Sequence, residues 1–127
     1  MTDQNRQQPV MLTDADGVDC YLNIRSVTAI LELTKVKAVL LVFGDSSSIN
    51  IPTTLDNLIE TYNLNETTGF VTFTDPDSGD RILLNTHKKP VLAARKYDGR
   101  TNIIYDNDNQ FVVKGTLSEV LEKLGVE

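Results

Sequence analysis

The amino-acid sequence predicts an α+β chain, a duplicated antiparallel strand meander in which each copy ends in one helix. Three observations predict it. The hydrophobic pattern overlays on itself when the 127-residue chain is slid by 62 residues. Within each copy, short apolar segments are separated by turns rich in Asp and Gly, the pattern of hairpins. At the end of each copy the apolar period changes from two to 3.6.

The elements follow in order. Val10–Thr13 is a short strand, and Asp14-Ala15-Asp16-Gly17 is a turn, because Asp tolerates turn conformations and Gly supplies positive φ. Val18–Asn23 returns as the second strand of a hairpin. Val27–Leu33 is extended, Ala38–Phe43 reads as a buried apolar strand, and Ile49-x-Ile51 alternates on the way back. Leu55, Leu58, Ile59 and Tyr62 then fall on one helical face. Asn63–Gly69 is a short polar joint. In the second copy Leu117, Val120, Leu121 and Leu124 repeat the helical face 62 residues later, and Gly125 stands where a helix stop belongs. Thr54 and Thr116 are placed to cap the helices, the latter in a Thr-x-x-Glu capping box with Glu119.

The overlay is closest at Gly17, Leu22, Asn23, Thr54 and Leu55, which fall on Gly79, Leu84, Asn85, Thr116 and Leu117. Thr13, Asp14 and Asp16 match Thr74, Asp75 and Asp77 at an offset of 61, so the second turn holds one extra residue near Ser78. We expect residues 1–9 to be a disordered tail, and residues 10–127 to form one domain from two pseudo-symmetric repeats, 10–62 and 70–124. Each copy is marginal alone, because a unit this small buries too little surface.

Composition excludes more than it selects. Hydrophobic residues make up 40% and charged residues 24%, as in soluble globular chains. The formal charge of −6 makes the surface as a whole repel nucleic acid and anionic lipid. No apolar run is long enough to span a membrane, and the first nine residues lack the pattern of a signal peptide. A cytoplasmic location is expected. One Cys and one His exclude an internal disulfide and the usual zinc sites.

The line Leu12-Thr13, Gly17, Tyr21-Leu22-Asn23, Ile30, Gly44 and Leu55-x-x-Leu58-Ile59 resembles the FlbD/SwrD family of small bacterial flagellar and swarming motility proteins. The second copy resembles it too, through Leu83-Leu84-Asn85 and Val113-Lys114-Gly115-Thr116-Leu117. The resemblance implies strands followed by a helix, in two tandem copies, and supplies no catalytic residue. The second half also resembles the C-terminal part of a LytTR-type DNA-binding domain. That family's basic His-Arg-Ser element has no match here, and this resemblance is set aside.

Chemically active constellations are sparse. Asp14-x-Asp16 and Asp75-Pro76-Asp77-Ser78-Gly79-Asp80 resemble the opening of a calcium loop. The position that needs a bidentate Glu is Arg25 in one and Thr86 in the other, so turns are the better reading. Asp106-Asn107-Asp108-Asn109 reads likewise. His87 sits among Lys88, Lys89 and Pro90 without a nucleophile in its motif. Cys20 aligns with Ile82 and reads as a small buried side chain. No phosphate-binding glycine motif or nucleophile elbow occurs.

Residues 81–100 hold Arg81, Lys88, Lys89, Arg95, Lys96 and Arg100 against Asp98 alone. Lysines and arginines at a strand edge block edge-to-edge pairing; the same cluster also suits an anionic partner, with Tyr97 and Tyr105 as stacking groups. Lys88, Lys89, Arg95, Lys96 and Arg100 are the candidate binding residues. No catalytic residue, metal or cofactor is expected. The leading expectation is a non-enzymatic bacterial or phage scaffold that binds another protein, with nucleic acid not expected as a partner. A homodimer is expected in which the first copy supplies more apolar surface, because Val39 and Leu40 stand where the second copy has Thr101 and Asn102. The alternative is a small anion- or nucleic-acid-binding module using the basic stretch 81–100.

Overall fold

The computed structural model describes residues 9–23, 26–44, 47–65, 68–86, 91–94, 99–104 and 110–124. The chain is α+β, with a mostly antiparallel β body and two helices. The first half runs β1 (Pro9–Thr13), β2 (Asp19–Asn23), β3 (Val27–Leu33), β4 (Ala38–Phe43), β5 (Ser48–Ile51) and α1 (Leu55–Tyr62). The second runs β6 (Phe70–Thr74), β7 (Arg81–Asn85), β8 (Val91–Ala94), β9 (Arg100–Ile104), β10 (Gln110–Lys114) and α2 (Leu117–Leu124).

The strands form three antiparallel sheets, of orders β1-β2, β5-β4-β3-β7-β6 and β10-β9-β8. The halves therefore interlock. The second half's hairpin joins the first half's meander, with Ala29, Ile30 and Leu31 of β3 opposite Leu84, Leu83 and Ile82 of β7. The central sheet is apolar on both faces because both are covered. On one face Val27, Ile30, Val39, Leu41, Phe70 and Leu83 meet Leu55 and Leu58 of α1, with Leu12 of β1 against them. On the other, Ala29, Val42, Phe73 and Leu84 meet Ile103, Phe111 and Val113 of the three-stranded sheet and Val120 of α2.

The turns take the conformations their residues favour. The Asp14 carboxylate accepts the backbone N–H groups of Asp16 (2.9 Å) and Val18 (2.8 Å). The Asp75 carboxylate accepts those of Asp77 (2.8 Å) and Ser78 (3.2 Å). Gly17 and Gly79 close these turns at φ of 82° and 80°, the left-handed region where a side chain is strained. Both aspartates thus serve the turns. Among the described residues no group of His, Cys, Asp and Glu is arranged to hold a metal, and no helix is long and apolar enough to cross a membrane.

Three expectations need adjusting. The first strand begins at Pro9, which pairs with Asn23, one residue before the strand that the sequence predicts; residues 1–8 lie outside the described residues. Cys20 is only half-buried, its thiol 3.6 Å from the Val18 carbonyl, because the two-stranded sheet covers only one side of itself. Leu40 is covered within the chain, packed against the cluster that Ile103, Phe111 and Val113 complete. Val39 is fully buried beneath α1. The apolar surplus of the first half is thus met by the rest of the same chain, and the dimer argued from it loses its basis.

Candidate functional site

The basic stretch divides into cations that the fold uses and cations that it does not describe. Arg81 opens β7 opposite the end of β3. Its guanidinium donates to both Glu32 carboxylate oxygens, at 3.2 and 2.7 Å, and to Asp56 Oδ1 at 2.8 Å. Its backbone N–H donates to Glu32 Oε1 at 2.9 Å. Hydrogen bonds from Arg81 hold the Glu32 and Asp56 carboxyls below their usual values, and the same bonds raise the pKa of Arg81. Arg100, the first residue of β9, lies 3.2 Å from the Asp77 carboxylate in the β6–β7 turn. Both arginines therefore tie elements together. Lys88, Lys89, Arg95 and Lys96 lie outside the described residues, as do His87, Tyr97, Tyr105 and residues 106–109. In sequence, the four cations bracket β8, the outer strand of the three-stranded sheet.

A cavity of about 510 Å³ opens where the end of β3, the β6–β7 turn and β10 converge. Glu32, Asp75, Asp77 and Asp80 line it, with Arg81. Thr34 donates its hydroxyl to Asp80 at 2.6 Å across this region. Its wall carries more carboxylate than cation, so it repels an anionic ligand. Sequence reasoning missed the Glu32–Arg81–Asp56 cluster, because its members are 49 and 25 residues apart and only the β3–β7 register joins them.

No protein-family model matches the chain. No curated protein matches it either. Among solved structures, the chain is similar to one described as the LytTr DNA-binding domain of a putative methyl-accepting/DNA response regulator from Bacillus cereus. The TM-score is 0.60, over 92% of this chain and 95% of that one, at 16% identity. The likeness is one of fold, and it runs through both halves. It overturns two expectations. A protein-binding scaffold is not the leading reading of this fold, and the expectation that nucleic acid is not a partner, argued from the net charge of −6, does not stand. Net charge sums over the whole surface and says nothing of how one edge is charged. The sequence resemblance to a LytTR-type domain lacks one short basic element, whereas the fold likeness covers 92% of the chain.

Proposed function

We propose that this chain is a DNA-binding module whose contacts come from the basic stretch 81–100, through Lys88, Lys89, Arg95 and Lys96. The observation that carries the reading is the fold likeness to a LytTr DNA-binding domain across 92% of the chain. The basic stretch supports it independently, because Arg81 and Arg100 are already paired with carboxylates. The four cations around β8 are the remainder of that cluster. Lysine and arginine neutralise phosphates and release condensed counterions, which supplies the affinity for a duplex whatever its sequence. The role is binding, with no catalytic residue assigned. The test is retention of a labelled duplex by the chain and by a variant carrying Lys88→Ala, Lys89→Ala, Arg95→Ala and Lys96→Ala. The variant should lose at least tenfold in affinity while keeping its circular dichroism. Equal affinity in the two proteins would reject the assignment of these residues.

We also infer that the two halves are copies of one hairpin–meander–helix unit, together making one domain over residues 10–127. The support is register. The pairs Ala29↔Val42, Ile30↔Leu41, Leu31↔Leu40 and Glu32↔Val39 recur 62 residues on as Val91↔Ile104, Leu92↔Ile103, Ala93↔Asn102 and Ala94↔Thr101. The β4–β5 pairs recur in β9–β10 at the same offset. In the hairpins β2 maps to β7 at 62 and β1 to β6 at 61, which leaves the extra residue in the β6–β7 turn.

A further inference from the structure

One pairing in this pattern has no counterpart among the described residues. The hairpin β6–β7 adds to the β3 edge of the preceding meander. By the same rule the meander β8–β10 should take a hairpin on its β8 edge, and the hairpin β1–β2 should add through β2 to a meander. Among the described residues these two edges belong to different outer layers, the two-stranded and three-stranded sheets, and no pairing joins them. The edges of the central sheet are treated differently. On β5 the Asn50 carbonyl accepts from the Ala15 N–H at 2.9 Å, and on β6 the Thr72 carbonyl accepts from the Lys123 ammonium.

We propose that the β8 edge is a docking site for the β2 edge of a second copy of this chain, head to tail. The proposal rests on the duplication inferred above. The β3–β7 register, displaced by one repeat, gives the pairing: Leu22 opposite Val91, Tyr21 opposite Leu92 and Cys20 opposite Ala93. Two observations favour a second copy over an unrelated strand. The pairing continues an interface that the chain already builds between its own halves. Tyr21 is 74% exposed in the single chain, whereas Leu83, its counterpart, is buried once β7 is seated on β3. The edge displayed by one copy is not consumed by its own hairpin, so the contact is heterologous and propagates.

The register makes the test specific, because the chain's single thiol is Cys20. With Ala93→Cys in the full chain, mild oxidation at tens of micromolar should give a reducible ladder of dimers, trimers and longer species. It should form at least tenfold faster than with Lys114→Cys, an exposed control on β10. Adding Cys20→Ser should abolish the ladder. Monomer throughout, with both thiols open to maleimide, or equal rates for the two variants, would overturn the proposal. An intrachain reference keeps this apart from failure of the duplication template. In a Cys20→Ser chain, Leu31→Cys with Ile82→Cys should form a disulfide within one molecule. If that bond forms and the ladder does not, the template stands and the intermolecular pairing is wrong. If neither forms, the template register is wrong as well.

Discussion

The guanidinium of Arg81 meets three carboxylate oxygens, two from Glu32 and one from Asp56. Glu32 is the better buried partner, its side chain 13% exposed against 79% for Asp56. The pair joins β3 to β7, so its loss loosens the seam between the halves. Glu32→Gln should cost on the order of 1 kcal/mol at pH 7, since the pair is only partly shielded from water. The pH dependence has a definite sign. The folded-state pKa of Glu32 is lowered from 4.5, with the Arg81 hydrogen bond the largest cause. Its stabilising contribution is therefore present above pH 4.5 and is lost as the pH falls through the folded value. Urea titrations of wild type and Glu32→Gln should differ at pH 7 and converge towards pH 3. A gap that is the same at both pH values would contradict this account. Gly79→Ala should cost roughly 1 kcal/mol through backbone strain at φ 80°, since a Cβ there meets nothing within 4 Å. Equal stability on thermal melting would show that the turn relaxes.

At the scale of elements, the two helices test how similar ends behave. Thr54 accepts the Asn57 N–H at 3.1 Å, while Asn57 donates its side chain to Thr53 at 2.8 Å. Thr116 forms the reciprocal box: its hydroxyl accepts the Glu119 N–H at 3.2 Å, and Glu119 accepts the Thr116 N–H at 2.8 Å. Thr54→Ala and Thr116→Ala should each destabilise by about 1 kcal/mol in denaturant titrations. Glu119→Gln should remove an acid-sensitive part of the second cap, because the Thr116 backbone hydrogen bond lowers the Glu119 pKa. Its contribution is present above the ordinary value of 4.5 and fades as the pH falls below it. These helices were legible in sequence because caps and the apolar period are local signals: Leu55–Tyr62 and Leu117–Leu124 have the expected bounds. The turns at Asp14 and Asp75 were legible for the same reason. Strand partnership was not. Alternation tells which residues share a face and leaves open which strand lies beside it. Nothing local to Ile82 or Leu84 says that β7 pairs with β3. The candidate site was legible only as charge. Sequence grouped six cations, but Arg81 and Arg100 separate from the rest through contacts that only the fold makes.

The whole molecule is a stack of three sheets, and the inner one is the most apolar. Leu40 packs towards the three-stranded sheet, whereas its counterpart Asn102 is polar and half-buried and donates to Gln110 at 3.1 Å. Truncating a central side chain should therefore cost far more than an end-layer change. Leu41→Ala, at a fully buried position, should lose about 2–5 kcal/mol by thermal or urea unfolding. Carboxylates gather around the cavity at the β6–β7 turn, and Lys88, Lys89, Arg95 and Lys96, outside the described residues, bracket β8 in sequence. A molecule of net charge −6 binds a polyanion only through a local cluster of cations. The direct measurement is the affinity of the unmodified chain for duplex DNA, by fluorescence anisotropy, as a function of salt from about 50 to 200 mM. Neutralising four phosphates predicts a log–log slope of about −3 to −4. No binding at 50 mM, or binding that salt leaves unchanged, would contradict the proposed DNA-binding function.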